Sequence, residues 1–411
     1  MNDVNKLKII DAIERSKGEI IKFSQELIKA KSPNPYQPNE SWKVNEPIEK
    51  EVAKLIFNKL KKFGLKPKFV SALSNRPNVV CALKKKGRPT LIFNGHMDTV
   101  PVGDESKWKC PPFSGKILEN KLYGRGSLDM KSSLAAMIFA MKVLSKLNLK
   151  GNLIFTGVVD EEPGAYSEIG TKYLLKHGLK GDACLVGEPG TKKICIGCKG
   201  GYRLKIITRG EAVHTGAGRW ERKEKGINAA TKMAKILLAL ENLRLKYKPV
   251  KIFKDRKPVI TPGTLIKGGT GINIVPDYCE ATVDIRIMPG QTKESIKKEI
   301  LDCIEKLKQK DSEIKTEIQD LMFVPSVYIS EKEKIVKILK ENATLILGKE
   351  PEVGPAGPWC DAHFFIKNNI PTICGFGPDG ENQHAPNEFV YTDSIMQVCK
   401  IYALTAFDFL K

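Results

Sequence analysis

The stretch LIFNGHMDTVP, residues 91–101, opens on a short apolar run and closes on a histidine, an aspartate and a proline. An apolar run of this length, stopped by glycine, reads as an interior strand of an open α/β sheet. In such sheets functional groups collect where strands reach their carboxyl ends. In extended backbone His96 and Asp98 point to the same side. Asp98 can then accept a hydrogen bond from the ring nitrogen that His96 does not offer to a metal, which fixes the tautomer. The plainer alternative is a surface histidine beside a turn aspartate.

Outward from this strand the alternation continues. Strands are expected at 77–83, 153–159 and 183–186, separated by helices at 131–147 and 170–177. Upstream, apolar residues at helical spacing predict one helix over 5–31 and another over 46–63, with the Pro- and Asn-rich loop SPNPYQPNE (32–40) between them. Strand–helix alternation is the mark of a sheet covered by helices. From about residue 199 the pattern becomes strand 202–208, helix 228–243, strands 259–266 and 280–287, helix 293–307 and strand 313–319. That order is the split βαββαβ, ferredoxin-like arrangement. A helix at 332–347 and a strand at 372–376 then resume the first texture. The expected fold class is therefore α/β, a mixed sheet flanked by helices with an inserted ferredoxin-like βαββαβ domain. The expected division is 1–198 with 323–411 for the larger domain and 199–322 for the insertion.

Composition limits the functions available. At 411 residues and 41% apolar content the chain suits two folded domains. No apolar run approaches the length of a membrane span, and no secretory leader is legible at residues 1–8, so neither membrane nor export is expected. The ten cysteines are scattered through apolar runs, which predicts reduced thiols and a cytoplasmic location. Cys195 and Cys198 have CxxC spacing but no second pair, and they read as core thiols. The formal charge of +21 invites a nucleic-acid reading. Lysine is interleaved with glutamate along helical segments, however, without aromatic–basic motifs, so no nucleic-acid partner is expected. GxSxG and P-loop motifs are absent, and Gly375, Gly377 and Gly380 satisfy GxGxxG without a helix to follow.

Four further segments carry chemistry. YGRGSLDMK (123–131) puts Asp129 at a helix start, where it is either a cap or a carboxylate using one oxygen on each of two metals. VVDEEPG (158–164) ends an apolar strand on Asp160, Glu161 and Glu162. Three consecutive acids are either solvated or facing cations. Adjacent side chains diverge in extended backbone, so one glutamate can bind metal while its neighbour serves water as a general base. LVGEPG (185–190) sets Glu188 beyond another strand, and GENQHAPNE (380–388) sets His384 in a polar loop. Each alone is compatible with loop polarity. Together His96, Asp129, Glu162, Glu188 and His384 form a mixed nitrogen and oxygen set suited to two divalent ions, zinc first and cobalt second.

HMDTVP, GRGSLDMK, DEEPG, GEPG and QHAPNE resemble, in order and setting, the zinc-dependent family of acetylornithine deacetylase, succinyl-diaminopimelate desuccinylase, aminoacylase and related carboxypeptidases. The likeness spans essentially the whole chain. It implies His96 and Glu188 on one metal, Glu162 and His384 on the other, Asp129 between them and a cis peptide after Asp129. It implies Glu161 as general base and Asp98 as partner of His96. The first domain would then be catalytic and the insertion a lid that mediates homodimerisation. Within the insertion, RGEAVHTG (209–216) places His214 where relatives stabilise an oxyanion. GGTGINIVPD (268–277) and VDIRIMPG (283–290) place Asn273 and Arg286 as substrate-binding candidates. The implied reaction is hydrolysis of the amide of a small N-acyl amino acid. A dipeptidase or carboxypeptidase acting on a short peptide is the alternative, and a metal-stabilised scaffold is the third reading. The sequence departs from relatives in GPAGPWCDAHFF (354–365), where Trp359, Cys360 and His363 replace small or hydroxyl residues and a different basic group, and in Ser132, where glycine is common.

Overall fold

The computed structural model describes residues 2–34, 46–84, 87–162, 167–254 and 256–411, so most of the loop expected at 32–40 lies outside the described residues. The chain divides into two compact units, 1–198 with 328–411, and 199–327.

The larger unit is built on a six-stranded sheet in the order Lys68–Leu73, Arg76–Leu83, Asn152–Val158, Thr90–His96, Ala183–Val186, Thr372–Ile373. The first three strands are joined antiparallel. From Asn152–Val158 onward every pairing is parallel, which makes the sheet mixed. Thr90–His96 lies at its centre, where Phe93 pairs in register with Phe155 on one side and Leu185 on the other. Its apolar run stays continuous because both faces are covered: Phe365 of helix Ala362–Lys367 clusters with Ile92, Cys184 and Val186 on one, and two largely buried helices share the other, the face of Phe93 and Gly95. Ser132–Leu144 buries every residue except Lys142, and Thr392–Leu410 is buried almost all round. Phe139 on the former meets Phe23 and Phe63 at ring distances of 6.2 and 5.1 Å, and Tyr402 on the latter meets Phe93 at 5.6 Å. Each such side chain, once out of water, contributes about 1.5–3 kcal/mol.

The single helix expected over 5–31 is two, Asn2–Glu14 and Lys17–Lys29. The break has a local cause. Ser16 Oγ donates back to the Ala12 carbonyl at 3.0 Å, and Gly18 follows. Hydroxyls that bond their own backbone compete with helix continuation, and glycine resists it.

The smaller unit is a four-stranded antiparallel sheet in the order Val259–Gly268, Tyr278–Ile287, Gly200–Arg209, Lys315–Val324. In chain order these are its second, third, first and fourth strands. Helices Ala229–Asn242 and Lys293–Lys308 pack on one face. Along Tyr278–Ile287 burial alternates strictly, and Ala281, Val283, Ile285 and Ile287 join Ile296, Ile300 and Ile304 in one apolar cluster. Period two meets period four across that core. The last strand keeps its ladder with Gly200–Arg209 as far as Val324, so this unit closes at Val327 rather than at 322.

Candidate active site

Three neighbouring parallel strands, Asn152–Val158, Thr90–His96 and Ala183–Val186, reach their carboxyl ends side by side. They deliver Glu161 and Glu162, His96 and Asp98, and Glu188 to one edge of the sheet. Asp129 arrives in the turn Ser127–Lys131 that leads into helix Ser132–Leu144. A Cβ on Gly95 or on Gly187 would stand 2.7 Å from Met130 Cε, so the two glycines let Met130 pass close to both strands. The Asp129–Met130 peptide is cis. His384, at φ 60°, sits between Gly380–Glu381 and Phe389–Tyr391. The latter strand pairs antiparallel with Lys121–Tyr123, which brings the histidine loop beside the aspartate turn.

The structure brings together all five residues expected to bind metal, as two groups that share Asp129. His96, Asp129 and Glu188 offer donor atoms within 4.8 Å of one another, and so do Asp129, Glu162 and His384. The carboxylate of Asp129 is divided between them. Its Oδ1 lies 2.9 Å from His96 Nε2 and its Oδ2 lies 3.0 Å from His384 Nε2. Glu188 Oε1 is 3.9 Å from His96 Nε2, and Glu162 Oε2 is 3.3 Å from His384 Nε2. Glu162 Oε1 is buried with no hydrogen-bond partner among the described residues. A buried carboxylate oxygen left unpaired costs free energy unless a cation meets it. Two mixed nitrogen and oxygen triads fit two divalent ions that share one carboxylate.

The electrostatics agree with that fit. Burial pushes Glu162 up to about 7 and Glu188 up to about 8, with the Asp129 charge adding to both. Glu161 is driven well above the usual carboxylate range, by burial first, with Glu188, Asp361 and Glu162 adding and His96 opposing. Burial would lower both site histidines, but the bond from Asp129 raises His96 well above its ordinary value, and bonds to Asp129 and Glu162 raise His384 to about 11. Those imidazoles in turn hold Asp129 low against its own burial. So many acids in so little water demand positive charge.

Asp98 acts differently from expectation. The atom nearest His96 Nδ1 is the main-chain carbonyl of Asp98 at 3.0 Å, while the carboxylate stands 3.7 Å away. The carboxylate is turned instead toward the next strand end, where it accepts from the main-chain N–H groups of Glu161 (3.3 Å) and Glu162 (3.1 Å), and from Asn34 Nδ2 (2.8 Å). The physical reason is demand. Two buried N–H donors need an acceptor, and a backbone carbonyl serves His96 equally well.

His214, Asn273 and Arg286 all lie in the smaller unit. His214 Nδ1 accepts the Gly216 N–H at 3.0 Å, and its Nε2 faces Asn273 Nδ2 at 3.4 Å. Arg286 Nε pairs with Asp284 at 2.9 Å. Lys199, lowered by burial, also lies in the repulsive field of Arg256 and Arg286, so the region is rich in positive charge.

Some residues at the site were not singled out from the sequence. Gln383 Nε2 donates to Asp129 Oδ2 at 2.6 Å. Asp361, buried and pushed up to about 6 chiefly by burial, accepts from Thr171 Oγ1 at 2.6 Å. Behind the acidic turn, Arg76 joins Glu49 Oε2 (2.8 Å) to Asp160 Oδ1 (3.5 Å) in a fully buried cluster. Gln383 stands in GENQHAPNE and Asp361 in GPAGPWCDAHFF, so their signal was present; Arg76 and Glu49 stand in ordinary strand and helix-start contexts. Trp359, Cys360 and His363 are all buried. His363 Nδ1 contacts the Cys360 carbonyl at 2.9 Å, and burial lowers the ring to about 4, so it stays neutral near pH 7.

Comparison with known proteins places these observations in a family setting. The model of peptidase family M20/M25/M40 matches residues 92–408. The chain is 28% identical to the N-formyl-4-amino-5-aminomethyl-2-methylpyrimidine deformylase of Halalkalibacterium halodurans, over 96% of each protein. It is 32% identical to the succinyl-diaminopimelate desuccinylase of Ehrlichia canis, over 77% of this chain and 81% of that one. Among solved structures it resembles an M20 family metallo-carboxypeptidase from Sulfolobus solfataricus, with a TM-score of 0.75, 22% identity and coverage of 94% of this chain and 98% of the other.

Proposed function

The chain belongs to peptidase family M20/M25/M40 and is an enzyme that hydrolyses amide or peptide bonds; on that premise we propose that it removes the acyl group from a small N-acyl amino acid, in the manner of a deacetylase or desuccinylase. One observation carries this reading. Asp129 offers one carboxylate oxygen to each of two imidazole–carboxylate groups, with Glu161 beside them but outside both. A site that only held metal for stability would not need a spare buried acid, which speaks against the scaffold reading.

In this proposal His96 and Glu188 hold one divalent ion, Glu162 and His384 the other, and Asp129 both. The donor set suits zinc first and cobalt second. Bound there, the ions would polarise the scissile carbonyl and make water a better acid. Glu161 takes the proton from the attacking water and passes it to the departing amine nitrogen. Asp98 fixes the backbone from which Glu161 and Glu162 project. His214 donates to the oxyanion, and Asn273 and Arg286 hold the backbone or carboxylate of the substrate. The deformylase and desuccinylase relatives favour an acyl substrate, whereas the carboxypeptidase likeness fits the peptide alternative.

The enzyme acts as a homodimer through the smaller unit in this reading. Its edge strand Val259–Gly268 leaves Leu265 and Ile266 67% and 61% exposed, an unpaired ladder beside apolar side chains. A cytoplasmic setting is supported by ten cysteines with no disulfide among them. No helix among the described residues is long and apolar enough to cross a membrane. The test is a turnover panel of N-succinyl and N-acetyl diamino acids against dipeptides, after chelation and with zinc or cobalt added back. Release of acyl product that depends on added metal is expected. Turnover of dipeptides alone would transfer the assignment to the alternative, and activity that survives complete metal removal would end the proposal.

A further inference from the structure

Glu388 follows His384 by four residues and is buried, with 1% of its surface exposed. Its Oε2 accepts from Arg125 Nη1 at 2.6 Å and from the Gly126 N–H at 3.1 Å. Its Oε1 accepts from the N–H groups of Leu128 at 2.9 Å and Asp129 at 3.1 Å. Every partner is a donor. Only an ionised carboxylate presents acceptors on both oxygens; an amide of the same shape would point its own N–H₂ at one pair of donors.

The turn that Glu388 holds carries the carboxylate on which both cation groups depend. Asp129 must aim Oδ1 at His96 and Oδ2 at His384 at once, and the present distances of 2.9 and 3.0 Å show that it does. A rotation of the 126–129 backbone would favour one oxygen at the expense of the other. Glu388 also stands on the His384 loop, so a single side chain ties that loop to the turn it faces. Asp129 and His384 are 255 residues apart in the chain.

We infer that Glu388 is a positioning residue that fixes Asp129 astride the two cation groups and sets the spacing to His384, so that holding both ions together depends on its two acceptor oxygens. This rests on the reading of Asp129 as the shared ligand. It assigns Glu388 no contact with substrate.

The test compares wild type with Glu388→Gln and Glu388→Asp, each stripped of metal and titrated with Zn²⁺ by calorimetry and with Co²⁺ by visible absorption. Wild type is expected to take up two ions per chain. Glu388→Gln should bind at least one of them about 10–100-fold more weakly, with an altered cobalt band shape and a metal-free melting temperature close to wild type. Glu388→Asp, which keeps both acceptor oxygens, should recover part of the affinity. Wild-type affinity and band shape in Glu388→Gln would overturn the inference while leaving the metal reading intact. Weakened binding that merely tracks collapse of the metal-free fold in both variants would overturn it too, in favour of a purely structural role. Failure of wild type itself to take up two ions would remove the metal reading, and this inference with it.

Discussion

Replacing Glu161 by Gln preserves the size of a side chain only 9% exposed while removing its ability to carry a proton. A positioned general base contributes roughly 10²–10⁴ in rate, or about 3–5 kcal/mol at 1.36 kcal/mol per decade. The pocket argues for the upper half of that range. Of the acids that act on it, Glu162 and Glu188 belong to the two donor groups and Asp361 is engaged by Thr171 Oγ1, so among the described residues they are poorly placed to substitute. Glu161→Gln should therefore lower kcat by about 10³–10⁴. Metal content should stay at the wild-type value, because Glu161 belongs to neither donor group. The metal-free protein should melt no lower than wild type, since the substitution relieves repulsion among Glu161, Glu162 and Glu188. Glu161→Asp withdraws the carboxylate by one methylene and should cost about 10² in rate. The measurements are initial rates at saturating substrate, metal per chain by mass spectrometry, and thermal melting. A kcat within tenfold of wild type, with both ions retained, would refute the role given to Glu161.

Other outcomes follow from the same structure. After chelation, stability should fall as pH rises from about 5 to 8. Glu162 at about 7 and Glu188 at about 8 are acids raised by folding, and His384 at about 11 is a base raised by folding. In each case the folded state binds more protons in this window, so raising the pH favours unfolding; a melting temperature that climbs over this range would contradict the assignment. Arg76→Met strands Glu49 and Asp160 without their buried partner and should cost about 3–5 kcal/mol, read as a lower urea midpoint; a loss under 1 kcal/mol would show the cluster to be inessential. Ile266→Lys, on the exposed edge strand, should turn a dimer into a monomer by analytical ultracentrifugation while changing unfolding free energy by about 0.5 kcal/mol or less. An unchanged sedimentation coefficient would move the contact elsewhere.

The five donor residues and Glu161 stood out in the sequence for a physical reason. His96, Glu161, Glu162 and Glu188 each follow an apolar run with a group that burial alone would reject, whereas Asp129 and His384, in a Gly-rich turn and a polar loop, gained meaning only beside the others. The split βαββαβ order was legible because Tyr278–Ile287 alternates faces without fault and Lys293–Lys308 keeps a clean apolar stripe. Thr392–Leu410 escaped notice because it is buried almost all round, polar Thr392, Ser394, Thr405 and Asp408 included, which blurs the contrast between an apolar and a polar face. Strand Lys68–Leu73 escaped because it is a largely exposed edge. The bonds of Glu388 and the turn of the Asp98 carboxylate depend on partners that are distant in the chain, 260 residues in the case of Leu128. No local pattern encodes such a partner.

The donors run from His96 to His384, and none of the three strand ends, the helix turn or the histidine loop supplies a complete set by itself. If these residues hold the ions as proposed, loading with cations is a late event in the life of the polypeptide, reserved for a chain whose remote segments have already found one another. An unfinished or misassembled molecule would then have little grip on metal, so uptake of the ions would double as a check on assembly, with the chemistry armed only after that check is met.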